Sequence, residues 1–185
     1  MAVKNLDKWK AKKWFNIYTP EILGGGMIGE MPADDEKKVT GRVIKVNMSW
    51  ITNKPEHSFM VVGLKVSDSS GNAAHTQFKY LEQTFSYLHS LVKRESSVLY
   101  TVNKTKDKNG KNIVLKLVVL TRSRMATKQR RALRKVIGDF ALSYSAGKEG
   151  GEFLKDIIEG RFQHDAANKV KNIAESRIEI KRLEL

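Results

Sequence analysis

The chain has 185 residues, of which 41% are apolar and 29% charged, and it carries a net charge of +14 with no cysteine. That length suits one domain of ordinary size, with or without extensions. The missing cysteine excludes disulfides, thiolate zinc sites and cysteine nucleophiles, and no apolar run approaches the roughly 20 residues of a membrane span.

The charge is concentrated in three places. Residues 1–13 hold Lys4, Lys8, Lys10, Lys12 and Lys13 against Asp7. Residues 103–111 hold Lys104, Lys106, Lys108 and Lys111 against Asp107. Residues 121–135 hold Arg122, Arg124, Lys128, Arg130, Arg131, Arg134 and Lys135 with no acid at all. Everything else is neutral overall. A surface chosen only for solubility intersperses both signs. Three basic patches are the footprint of a polyanion, nucleic acid first among them. The N-terminus is charged and has no apolar h-region, so the expected location is intracellular.

In chain order, residues 1–13 read as a basic arm in which Trp9 is placed to stack on a base while the lysines meet phosphates. A single α+β domain is expected over residues 14–185. Residues 14–18 form a β-prone run closed by Pro20, and Trp14, Phe15 and Tyr18 are assigned to the core. Gly24, Gly26 and Gly29 satisfy G-x-G-x-x-G. The flanking Pro20 and Pro32 deny them the strand and helix a dinucleotide site needs, so a glycine loop is the reading. Asp34, Asp35 and Glu36 read as a turn.

Residues 39–52 are β-rich, 59–66 a strong strand, 67–72 a turn and 73–80 a third strand, spaced for antiparallel hairpins. Leu81, Phe85, Leu88, Leu91 and Val92 switch to helical period over 81–93. Residues 98–102 and 113–120 pair as a hairpin with Asn109-Gly110 at its tip. From Leu133, the positions Val136, Ile137, Phe140, Ala141 and Tyr144 complete one helical face. At about 100° per residue, Lys128, Arg131 and Lys135 oppose that face. Arg134 flanks it and Arg130 lies at its edge. Arg122 and Arg124 precede the helix. Glycines break the chain at 147–151. Residues 153–158 and 165–174 read as short helices, and Ile178, Ile180 and Leu183 as a final strand. This last region is charge-balanced and reads as scaffold or as a protein-facing surface.

No convergent catalytic set is visible. His57, His75, His89 and His164 lack ligand spacing, and the basic stretches contain only Asp7 and Asp107. No enzyme activity, cofactor, metal or small-molecule substrate is expected.

The motifs Lys12-Lys13-Trp14-Phe15, Tyr18-Thr19-Pro20-Glu21-Ile22, Ile28-Gly29-Glu30, Pro32-Ala33-Asp34-Asp35 and Gly41-Arg42-Val43 stand in the N-terminal half. Phe78-Lys79, then Ser90-Leu91-Val92-Lys93-Arg94 with Ser96-Ser97, and residues 121–135 follow. Together they resemble the archaeal and eukaryotic small-subunit ribosomal protein family S3Ae, also called eS1, in its archaeal form without long basic tails. The resemblance implies an α+β fold in which an antiparallel, barrel-like β-sheet carries flanking helices. It implies a structural constituent of the small ribosomal subunit, cytoplasmic, near the platform and messenger exit. Its partners are then small-subunit ribosomal RNA, neighbouring ribosomal proteins and messenger RNA near the exit, with no membrane contact. The residues expected to bind RNA are Lys8, Lys10, Lys12, Lys13, Lys106, Lys108, Arg122, Arg124, Lys128, Arg130, Arg131, Arg134 and Lys135. The competing reading is a non-ribosomal module whose basic face meets an acidic protein or a membrane surface.

Overall fold

A computed structural model describes residues 12–185. Lys8, Lys10 and Trp9 therefore lie outside the described residues, as does most of the expected arm. The described residues form eight strands and five α-helices, an α+β fold with helices flanking the sheet. The chain divides into two compact units. One takes the chain up to Ser58 with Val62–Lys79, the other Phe59–Val61 with Tyr80–Leu185.

In the first unit, β1 (Lys13–Tyr18) pairs antiparallel with β2 (Met27–Ala33) and parallel with the start of β5 (Ala73–Gln83). β4 (Met60–Ser70) pairs with β3 (Val43–Asn47) and with β5. The parallel pair departs from the expected all-antiparallel sheet. Residues 16 and 73 are too far apart in sequence for a hairpin to dictate their direction. Side chains alternate along β1, so Phe15 and Ile17 are buried while Trp14 is 52% exposed. The period of two thus moves Trp14 out of the expected core. Phe15, Ala33, Val39, Val66 and Ala74 form that core. Residues 24–26 are a loop followed by β2, not a helix, and Gly24 adopts φ 107, which few L-residues tolerate. Residues 48–52 depart from the expected β-run. Asn47 accepts a hydrogen bond from the Ser49 amide and starts a short helix, α1 (Met48–Thr52).

In the second unit, the end of β5 pairs with β8 (Ser176–Glu184). β8 pairs with β7 (Asn112–Thr121), which pairs with β6 (Val98–Lys106) at an open edge. Helix α2 (Phe85–Ser90) is shorter than the period over 81–93 predicts, because Leu81 and Gln83 belong to β5. On one sheet face lie Leu99, Ile113, Leu115, Leu117, Val119, Ile178, Ile180 and Leu183, all buried. Against them pack α3 (Thr127–Ala146) and α5 (Arg161–Val170), with α4 (Gly150–Ile158) against α5. The rings of Phe140, Tyr144, Phe153 and Phe162 meet at centroid distances of 5.3 to 6.0 Å and tie the three helices together.

Candidate nucleic-acid interface

The joint between β7 and α3 is knotted by one serine. Ser97 is 4% exposed. Its hydroxyl oxygen accepts from the Met125 amide at 3.1 Å and from the Arg130 guanidinium at 3.2 Å. Its amide donates to Thr121 Oγ1 at 3.0 Å, and Thr121 Oγ1 donates to the Ser123 carbonyl at 2.7 Å. These bonds satisfy buried backbone groups that would otherwise cost about 1–3 kcal/mol each. They also hold the turn that carries Arg122 and Arg124. Ala126, at the N-cap, has no acceptor of its own. Only the reciprocal half of a capping box forms, with the Ala126 amide donating to Gln129 Oε1 at 3.2 Å.

From this joint α3 runs for 20 residues. Leu133, Ile137, Ala141 and Ser145 are buried along it, with Val136, Phe140 and Tyr144 half-buried beside them. Gly138 faces β6: a Cβ there would come within 3.5 Å of Asn103 Oδ1, an ordinary contact. On the other side Lys128, Arg131, Arg134 and Lys135 are exposed, as is Arg124 before the helix. None of these five has an acidic partner among the described residues. Arg122 and Arg130 differ. Arg122 pairs with Glu175 at 3.0 Å in an exposed ion pair, and Arg130 is held by Ser97.

Helix N-termini favour anions, because their free amides and dipole are positive. The first turn of α3 has no acid and contains Lys128. The free helix is thus charged against its own dipole, a cost that a bound polyanion removes.

The second basic patch lies at the opposite end of α3. Strands β6 and β7 extend further than the sequence predicts and leave only residues 107–111 as loop. Asp107 is buried, and its Oδ1 accepts from the Asn109 and Lys111 amides at 2.9 and 2.8 Å. It therefore shapes the tip and leaves the lysines uncompensated. Gly110 takes φ 78, as an Asn-Gly turn requires. The Lys108 amide donates to the Lys148 carbonyl at 3.1 Å, placing the tip just beyond the end of α3. Lys106 and Lys108 are exposed. At about 1.5 Å per residue, the 15 steps from Arg131 to Ala146 at the end of α3 set the two patches about 22 Å apart. They lie along one rod and do not merge into one spot. Lys148, by contrast, is committed to structure. It donates to Asp156 and to the Tyr144 hydroxyl, and the bond to Asp156 pushes its ammonium pKa up. Burial pushes the Tyr144 phenol up. In the first unit, Lys13 is exposed and Lys12 half-buried.

Ser97 and the lysines and arginines off α3 carried no periodic signal in the sequence; only the fold assembles them. No helix is long and apolar enough to cross a membrane, and no three His, Asp or Glu gather into a metal-binding group, among the described residues.

A basic α+β protein with a docked cationic helix is the class these features define. The ribosomal S3Ae family matches residues 2–185. The small ribosomal subunit protein eS1 of Pyrobaculum aerophilum is 32% identical over 186 residues, covering 100% of this chain and 84% of its own. The protein of the same name from Archaeoglobus fulgidus is 31% identical over 187 residues, covering 100% and 89%. That from Methanoculleus marisnigri is 31% identical over 170 residues, covering 92% and 86%. The chain belongs to the ribosomal S3Ae family: it is a structural ribosomal protein of the small-subunit kind, cytoplasmic, and not an enzyme.

Proposed function

We propose that the chain clamps small-subunit ribosomal RNA through the exposed face of α3. The observation that carries this is the set of five cations, Arg124, Lys128, Arg131, Arg134 and Lys135, exposed and without an acidic partner among the described residues. They stand on a helix whose other face is locked into the core. A rigid rod of this kind loses little entropy on binding, and arginine suits bidentate phosphate contact. Recognition then rests on charge and RNA shape more than on base edges. Arg122 and Arg130 assist from the joint. Lys106 and Lys108 extend the contact at the far end of α3, and Lys8, Lys10, Lys12 and Lys13 act as an arm of a single RNA-binding domain. The expected surroundings are the platform and messenger exit, with neighbouring ribosomal proteins and messenger RNA as further partners.

Titrating the binding of small-subunit ribosomal RNA against salt tests this. Five phosphate contacts at about 0.7 to 0.9 each give a log–log slope on the order of −4. A slope near zero, or a preference for an acidic protein over RNA at physiological salt, contradicts the proposal.

A further inference from the structure

Beside the joint, the second unit holds an open cleft of about 510 Å³ whose lining includes Lys93, Arg122, Glu175, Ser176 and Arg177. Its three cations face one acid. Lys93 is exposed and has no acidic partner among the described residues. Arg177 donates from Nε to Glu179 at 2.7 Å and from Nη2 to the Tyr87 hydroxyl at 2.9 Å. Those two bonds fix its guanidinium and leave further N–H donors unused. The Ser176 hydroxyl is buried with no partner among the described residues. The cationic donors of Lys93 and Arg177 thus line one concavity, while the hydroxyls of Ser90 and Ser96 already donate to the Tyr87 and Lys93 carbonyls. Cationic donors so placed are the chemistry of phosphate recognition.

Arg122 lines this cleft and also the neighbouring one that holds Ser123, Arg124, Met125 and Gln129 at the start of α3. Glu175 lines both as well, so the Arg122–Glu175 pair stands as a bar between them. Its partners are 80% and 70% exposed. An exposed pair of this sort contributes little and is easily exchanged.

We propose that this cleft is a second RNA contact. It takes a backbone phosphate on Lys93 and Arg177, and Arg122 exchanges Glu175 for a phosphate as the strand passes from the cleft to α3. Glu175 is then a built-in competitor that weakens binding until RNA displaces it. This rests on the α3 reading but reaches residues that reading does not use.

The test measures binding of small-subunit ribosomal RNA to the full chain carrying Lys93→Glu or Glu175→Gln, with Arg131→Glu/Lys135→Glu in parallel and thermal melts of each. Both single positions are exposed, so the melts should match the unaltered protein. Lys93→Glu should weaken RNA binding about tenfold and reduce the salt slope by about 1. Glu175→Gln should tighten binding by roughly threefold, because removing the competing charge frees Arg122. Unchanged affinity for Lys93→Glu, or weaker binding by Glu175→Gln, overturns the cleft while leaving α3 intact if the double variant still loses RNA. If the unaltered protein shows no salt-sensitive RNA binding, the underlying reading fails instead.

Discussion

Ser97 and Leu133 show how differently single residues were written in the sequence. Leu133 sits on a helical period, and its burial at 0% follows from that period. Leu133→Ala should cost roughly 2–5 kcal/mol in chemical denaturation, as a core truncation in a tightly packed site. Ser97 stood in the Ser96-Ser97 motif, but nothing there marked its structural role. One hydroxyl among many becomes the acceptor for the Met125 amide and Arg130 only after the β6–β7 hairpin brings it beside the joint. Ser97→Ala should cost about 1–3 kcal/mol by leaving a buried amide unpaired. It should also weaken RNA binding, because Arg124 and Arg130 lose their support. A melt unchanged by Ser97→Ala would show that the joint is held by something else. Trp14 illustrates the opposite error: its bulk suggested core, whereas the strand's alternation exposes it.

At the scale of elements, α3 was readable because its apolar face repeats over about three turns and its acid-free stretch is unmistakable in composition. The β-hairpins were readable from turn chemistry at Gly71-Asn72 and Asn109-Gly110. Short elements were not. The end of β5 carries Leu81, whose spacing to Phe85 and Leu88 continues into α2, so strand and helix merge into one apparent helical period. The parallel pairing of β1 with β5 leaves no local trace, since register between distant strands is set by the assembled core. The charge arrangement of α3 yields a prediction of its own. Because Lys128 lies in the first turn, Lys128→Glu should stabilise the free protein by about 0.3–1 kcal/mol through the helix dipole, while weakening RNA binding. A destabilised Lys128→Glu protein would mean that Lys128 holds the fold together.

For the molecule as a whole, the basic surface and the ion-paired scaffold are separate investments. The C-terminal strand is laced by pairs such as Lys116–Glu184 at 3.1 Å and Arg182–Glu184 at 2.7 Å. The hydrogen bond from Lys116 holds the Glu184 carboxyl below the usual carboxylate range. A depressed carboxyl stabilises above its unfolded pKa and loses that contribution as pH falls through the folded value. Stability measured between pH 6 and 3 should therefore fall less steeply in Glu184→Gln than in the unaltered protein (about 3 to 6 spans the usual carboxylate range). An identical acid profile would show that this pairing is too solvated to matter. The charge balance of the C-terminal region was legible in the sequence. Which cations stand without acidic partners was not, because pairing depends on strands that are distant in sequence.

The most direct measurement is the Arg131→Glu/Lys135→Glu double variant, assayed for small-subunit ribosomal RNA binding and for unfolding in urea. Both side chains are exposed on the outer face of a helix anchored by Leu133 and Ile137. The unfolding free energy should stay within about 1 kcal/mol of the unaltered value, and RNA affinity should fall by more than about tenfold. An unfolded double variant, or one that binds RNA as tightly as before, would contradict the assignment of this face to RNA.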